Sequence, residues 1–361
     1  MRKWKSWAIP VLKERWCPIR ATMFFVTFLF AVLFAAGSGT VLLAEGQCAE
    51  FPVAPFNDPS ICMLQIWRPW VTACSNYYTN PNSVLWQSSF SFAYLDDGQP
   101  AVATSCGFET YDLEGKELLY SVEDRTGTSM KRGGAGGLDP GQTNQYKLSI
   151  PASPVASLPN IAGPISYVCY SKDPAVLRNK IVITSGFAQL TPEGEKTTEV
   201  SETISLKSSW VHSFPLNEGK DGSNIDHIGV AVTNLATRQQ TGGAPVVVRI
   251  TISDQFGLPG PYRDIVLAAP EKENPIVGSG AYLFFPGETK GIVLWTLFGD
   301  KPYEGNELFR PYPNGSSRGE HLSGTVTVKS LSRTPIAVLG VRTIDPRSVM
   351  TAVPASPIQM P

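Results

Sequence analysis

At 361 residues, with 17% charged residues and with 32 Gly and 30 Pro, the chain is long enough for two domains and too turn-rich for a helical bundle. Six of its 30 Lys and Arg but only one of its 31 Asp and Glu fall in the first 44 residues, so the body from residue 45 onward carries 24 against 30, a net charge of −6. A mildly acidic body without a basic stripe repels phosphate backbones, which argues against nucleic acid as a partner.

The N-terminal region carries Arg2, Lys3, Lys5, Lys13, Arg15 and Arg20, followed by an uncharged stretch over 21–44 that is long enough to cross about 30 Å of hydrocarbon as a helix. Residues 1–44 therefore read as a signal peptide or an N-terminal membrane anchor, with the basic flank in the cytoplasm. The long basic region favours an anchor, and the small residues at Ala36–Gly39 and at Ala44 and Gly46 favour cleavage. Either way the body is exported, to the periplasm, the cell surface or the extracellular space, and the segment would meet the membrane if uncleaved. Cys17 precedes the apolar stretch, and Cys48, Cys62, Cys74, Cys106 and Cys169 follow it. An oxidising compartment allows two disulfides among these five. Two of Cys48, Cys62 and Cys74 are candidates for one, and Cys106 with Cys169, meeting across a first sandwich, for the other.

Residues 45–66 read as a Cys/Pro-rich lead-in segment. A first repeat over 67–205 offers strands at 88–94, 102–111, 116–121, 146–150, 165–170 and 180–187. A Thr-rich charged stretch, 190–206, reads as a linker or an exposed hairpin. A second repeat over 206–354 offers strands at 228–233, 246–253, 264–267, 281–285, 291–297, 324–330 and 336–342. Residues 355–361 read as a loose tail, because Pro354, Pro357 and Pro361 interrupt any sheet. Short, closely spaced strands without amphipathic helices between them pair antiparallel. The expected fold class is therefore all-β: two tandem immunoglobulin-like antiparallel β-sandwiches behind an N-terminal hydrophobic leader helix.

The two halves carry matching motifs in the same order. Trp70-Val71 matches Trp210-Val211, Phe92-Ala-Tyr94 matches Val230-Ala-Val232, Asp112-Leu-Glu-Gly115 matches Asp254-Gln-Phe-Gly257, Pro140-Gly-Gln-Thr143 matches Pro286-Gly-Glu-Thr289, and Pro174-Ala-Val176 matches Pro335-Ile-Ala337. The offset grows from about 140 to about 160 residues, as expected of one duplicated unit with a later insertion.

Motifs for chemistry are sparse. No GxSxG elbow occurs, and the three histidines, His212, His227 and His321, are scattered, so no catalytic residue is assigned. The glycine run Arg132–Gly137 lacks the Lys-Ser/Thr that a phosphate cradle needs and reads as a flexible loop. No cofactor is expected and no CxxC pair suggests zinc. Asp221, Asn224 and Asp226 form a weak calcium candidate that lacks the terminal bidentate Glu, and a polar turn explains them as well. Aromatics carry the binding hints, since exposed rings stack on sugars or fill a partner's pockets. Trp67, Tyr77 and Tyr78 form one such surface, and Tyr303, Phe309 and Tyr312, in a long insertion of the second repeat, form another. Trp70 and Trp210, as equivalents, read as core.

The motifs Gly229-Val-Ala-Val-Thr-Asn234, Asp254-Gln-Phe-Gly257, Phe285-Pro-Gly-Glu-Thr289, 322–330, 335–342 and Thr351-Ala-Val-Pro354 resemble a β-sandwich module that recurs in secreted proteins of environmental bacteria. The resemblance implies an exported, non-catalytic module and transfers no catalytic residue. The expected function is binding, adhesion or structural assembly at the cell envelope or outside it, through a protein partner or self-association. The alternatives are a carbohydrate-active or glycan-binding protein using the aromatic loops, and a subunit of an extracellular polymer or surface layer.

Overall fold

In the computed structural model the first strand, β1 (Cys62–Ser75), already shows how the sequence sets the architecture. Cys62, Leu64 and Ile66 alternate into a core. Pro69 then removes a donor, and the pairing of β1 slips between Arg68 and Val71. Beyond the bulge Val71 faces the core and Trp70 faces outward. The structure describes residues 60–75, 85–117, 121–124, 129–130, 136–149, 161–190, 196–203, 209–221, 224–272, 285–294, 297, 322–345, 349–353 and 355–357.

The first half continues with β2 (Leu85–Tyr94), β3 (Thr104–Thr110), β4 (Ser121–Asp124), β5 (Ser129–Met130), β6 (Gly136–Gly137), β7 (Thr143–Ser149), β8 (Ile161–Ser171), β9 (Ile181–Leu190) and β10 (Lys196–Thr203). A short helix, α1 (Pro174–Asn179), joins β8 to β9; Asp173 caps it by accepting from the Ala175 N–H at 2.8 Å, and Pro174 starts its first turn. The second half has β11 (Val211–Asp221), β12 (Asn224–Asn234), the capped turn α2 (Arg238–Thr241), β13 (Val246–Asp254), β14 (Pro259–Leu267), β15 (Thr289–Val293), β16 (Leu322–Ser330), β17 (Ile336–Asp345), β18 (Val349–Val353) and β19 (Ser356–Pro357). All pairings are antiparallel, and the fold is all-β and sandwich-like.

Both halves share one pairing scheme. β1 pairs with β2 and β8, β2 with β7 and β9, β3 with β8, and β9 with β10. In the same order β11 pairs with β12 and β16, β12 with β15 and β17, β13 with β16, and β17 with β18. Register fixes the residue equivalences. Ala93 faces Thr143 as Thr233 faces Thr289, and Tyr94 faces Ile181 as Asn234 faces Ile336.

Several sequence expectations change on this basis. Val71 opposes Gly163 and Leu216 opposes Gly324, so the counterpart of Trp70 is Pro215 and not Trp210. Phe92 corresponds to Val232, two residues beyond the motif match and on the same face. Pro174-Ala-Val176 belongs to α1, and the counterpart of Ile336 in the first half is Ile181. Residues 62–66 of the lead-in segment open β1, which lies between β2 and β8, because Cys62, Leu64 and Ile66 alternate into the core. The tail is not wholly loose: Ser356 and Pro357 pair with Ser213 and His212 at an edge where a proline's missing donor does no harm.

Residues Cys48–Pro361 form one compact unit holding two cores. The first is aromatic, with Phe90, Phe92, Phe108, Tyr146 and Tyr167 in ring contacts of 4.6–6.0 Å. The second is built from Val230, Val232, Val248, Ile250, Val326 and Val328. Cys106 and Cys169 are directly opposed on β3 and β8 and form a disulfide, so the bridge lies within one sheet rather than across the sandwich. Cys62 is also disulfide-bonded. Among the described residues no helix is long and apolar enough to cross a membrane; the leader, with Cys48 and the Cys74 side chain, lies outside them.

Candidate interaction surface

Along β13 burial alternates strictly, so Val246, Val248, Ile250 and Ile252 point inward and the strand ends on buried Asp254. The Asp254 carboxylate accepts from the N–H groups of Phe256 and Leu258, both at 2.9 Å. The Asp254 carbonyl accepts from Gly257, and the Asp254 N–H donates to the Leu258 carbonyl, each at 3.0 Å. Gly257 makes the return possible with φ +79, a conformation open to glycine. A tip fixed by four bonds leaves its apolar side chains outside: Phe256 is 76% and Leu258 54% exposed.

The tip leads into β14, the terminal strand of its sheet among the described residues. Ile265 and Leu267 face the core, while Tyr262 and Val266 are about half exposed. Arg249 grips Asp264 with two bonds of 2.8 and 2.9 Å and lies 4.0 Å above the Tyr262 ring, which holds the Asp264 carboxyl below its ordinary range. Val266 opposes Val247, whose carbonyl takes the N–H of exposed Leu331. Apolar groups thus extend from the tip along an edge whose charges are paired.

The first half contains the same turn. Asp112 accepts from Glu114 at 3.0 Å and from Lys116 at 2.7 Å through its carboxylate and from Gly115 through its carbonyl, and Gly115 has φ +82. Here the turn is docked. The Leu113 carbonyl accepts from the Thr289 N–H at 2.8 Å, and a Cβ on Gly115 would lie 2.5 Å from the Pro286 carbonyl oxygen. Tyr111 meets Phe285 edge-on at 6.4 Å, and Lys116 pairs with Glu271 at 3.6 Å on the rim. Alongside, Trp70 fills a slot made by Gly291, Ala231 and Leu339, with its ring 2.6 Å from where a Cβ of Gly291 would stand. The tryptophan read as core is therefore the plug between the two sandwiches.

The remaining candidates are dispersed. Trp67 packs on Tyr111 at 5.5 Å, and the Tyr111 hydroxyl donates to Glu109 at 2.6 Å. Burial and the nearby Glu109 push Tyr170, on the same face, up to about 12. Trp67 is thus a packed ring rather than an open platform. Trp210 lies under Lys329 and Arg333 at 5.3 and 5.6 Å. Asp221 and Asn224 are paired across a two-residue hairpin loop and Asp226 lies on β12 opposite Gly219; among the described residues no group of acids, His and Cys is placed to hold a metal. Tyr77, Tyr78, Tyr303, Phe309 and Tyr312 lie outside the described residues. His212 is buried, with Nε2 donating to the Ile336 carbonyl at 2.9 Å and lying 3.2 Å from the Ser209 carbonyl, and burial lowers its pKa. The 254–266 surface is not a site in the sequence reading, where Asp254-Gln-Phe-Gly257 serves as a repeat marker and as a motif of the module resemblance. The signal was Phe256 standing where the first repeat has Glu114.

No protein-family model matches the chain, and no curated protein does. Among solved structures, the C-terminal domain of the AgI/II polypeptide BspA of Streptococcus agalactiae is similar at 12% identity, over 76% of this chain and 92% of that one, with a TM-score of 0.13, a level of likeness that carries no functional argument.

Proposed function

We propose that this chain is an exported, non-catalytic binding protein of the cell envelope or extracellular space, and that the β13–β14 tip and edge form its contact surface. The observation that carries the reading is the fixed, bare tip: Phe256 is 76% exposed on a turn closed by four hydrogen bonds of its own. Large apolar side chains held rigidly in water are what partner recognition uses, since little ordering is needed on contact. The apolar leader and the cysteine distribution support export. The test is photo-crosslinking in the producing cells, with a benzophenone amino acid at Phe256 or, as a control, at exposed Lys147. Adducts specific to position 256 are expected. Equal labelling from both positions, or none from 256, would refute the reading.

A further inference from the structure

We infer that the partner of this tip is a second copy of the chain, received at the Pro140–Thr143 turn, so that copies join head to tail; the inference rests on the contact surface proposed above. Inside the molecule, the Asp112–Gly115 tip of the first sandwich sits on the Pro286–Thr289 turn of the second. Pro286, Gly287 and Thr289 are buried there. Their counterparts are open: Gly141, Gln142 and Thr143 are exposed and Pro140 is half-buried, next to Leu95 at 48% exposure. The tips differ in the same sense, with Leu113 and Gly115 half-buried and Gln255 and Gly257 exposed.

Each sandwich therefore carries one tip and one socket, and only one pair is joined. A two-fold relation between the halves would bury both pairs within the chain. An exposed Gly257 and Gly141, where Gly115 is half-buried and Gly287 buried, mean that the relation does not close, and an interface that does not close within one molecule continues into the next. The sockets share their anchoring bonds, Gly141 to the Tyr94 carbonyl at 2.7 Å and Gly287 to the Asn234 carbonyl at 2.8 Å. They differ in that Gly141 has φ +78 and Gln142 turns back on Asp139, whereas Glu288 is tied to Ala268. The second joint also lacks the Trp70 plug, because Pro215 and Gln145 replace Trp70 and Gly291. Phe256 and Leu258 replace Glu114 and Lys116 at the rim, where Leu95 and Pro140 provide apolar contact. The joint is expected to be small and reversible, of the class that forms only at high local concentration.

The test uses the full chain purified in detergent, with benzophenone at Phe256 and equal parts of isotopically light and heavy protein. Dimers and higher ladders are expected, with position 256 joined to the tryptic peptide Gly133–Lys147 in mixed light–heavy pairs. Adding Leu95→Lys, a change at an exposed position, should reduce the yield at least tenfold. Adducts within one chain, or between chains at another peptide, overturn the inference. Adducts in cells with a different protein overturn it too and leave the proposed contact surface standing. No adduct from 256 in either setting removes both.

Discussion

Replacing Gly291 by alanine should destabilise the native protein and stabilise the Trp70→Ala variant. A Cβ on Gly291 would stand 2.6, 2.9 and 3.3 Å from three atoms of the Trp70 ring, so the ring must shift within its slot against Ala231 and Leu339. A fully buried Trp side chain removes roughly 150–250 Å² from water, about 4–6 kcal/mol at about 25 cal/mol per Å²; Trp70 is only partly buried, so loss of the plug costs about 2–4 kcal/mol, the upper figure applying to a cavity that does not collapse. Gly291→Ala alone should cost about 1–2 kcal/mol, since the ring can shift partway. With Trp70 already removed, the clash is gone and alanine gains about 0.5–1 kcal/mol over glycine in a strand. Urea unfolding of the four proteins, followed by far-UV circular dichroism, measures the cycle. The Trp70→Ala protein should also unfold in two steps, because the plug couples two separate cores. Additivity within about 0.5 kcal/mol, or a single unshifted transition in Trp70→Ala, would refute the reading of Trp70 as an inter-sandwich plug.

His212 is buried with Nδ1 lacking a partner, and burial lowers its pKa from 6.5. Below about pH 6.5 the unfolded chain takes up a proton that the folded chain refuses, so stability should be full above that pH and decline progressively below it until the lower folded pKa is reached; His212→Gln should flatten this slope in melts between pH 7 and 5. Removing the Cys106–Cys169 bridge, which spans a sequence separation of 63, should lower stability by about 2–4 kcal/mol in melts of Cys106→Ala/Cys169→Ala, and an unchanged midpoint would mean that the bridge does not form in the native protein. Gly163→Ala and Gly324→Ala should be comparably severe, on the order of 3 kcal/mol or more, because a Cβ at either would stand 1.9 Å from the carbonyl oxygen of Tyr111 or Ser253. A mild effect at only one of the two would break the equivalence of the halves.

The turns were the most legible features because their chemistry restricts the residues that can occupy them. Asp112 and Asp254 must accept from two N–H groups and Gly115 and Gly257 must take positive φ, so both motifs survive in readable form. Tryptophan gave a false match for the opposite reason: Trp70 is set by a slot on the other sandwich and Trp210 by Lys329 and Arg333, neither of which is a local constraint. β1 was obscured by Pro69, which breaks the alternation at the bulge that aims Trp70. β11 was missed although His212, Phe214 and Leu216 alternate correctly, because Pro215 and Asn217 on its outer face read as turn residues. The tip at Phe256 was in plain view and could not be weighed, since exposure depends on what covers a turn and a single sequence does not show that.

The joint between the sandwiches matters more than either core. Phe90, Phe92, Phe108, Tyr146 and Tyr167 fill positions taken by Val230, Val232, Ile250, Ile292 and Val328, so the frame tolerates an aromatic or an aliphatic filling. Core composition therefore says little about what the protein does. The tips are different, because the same four internal hydrogen bonds close the turn in both halves whether or not it is docked. A turn that needs no partner for its own stability leaves its docking free energy available for association. In the first sandwich that energy fixes one half against the other. In the second it remains unused within the chain, on the surface where Phe256 and Leu258 stand in water.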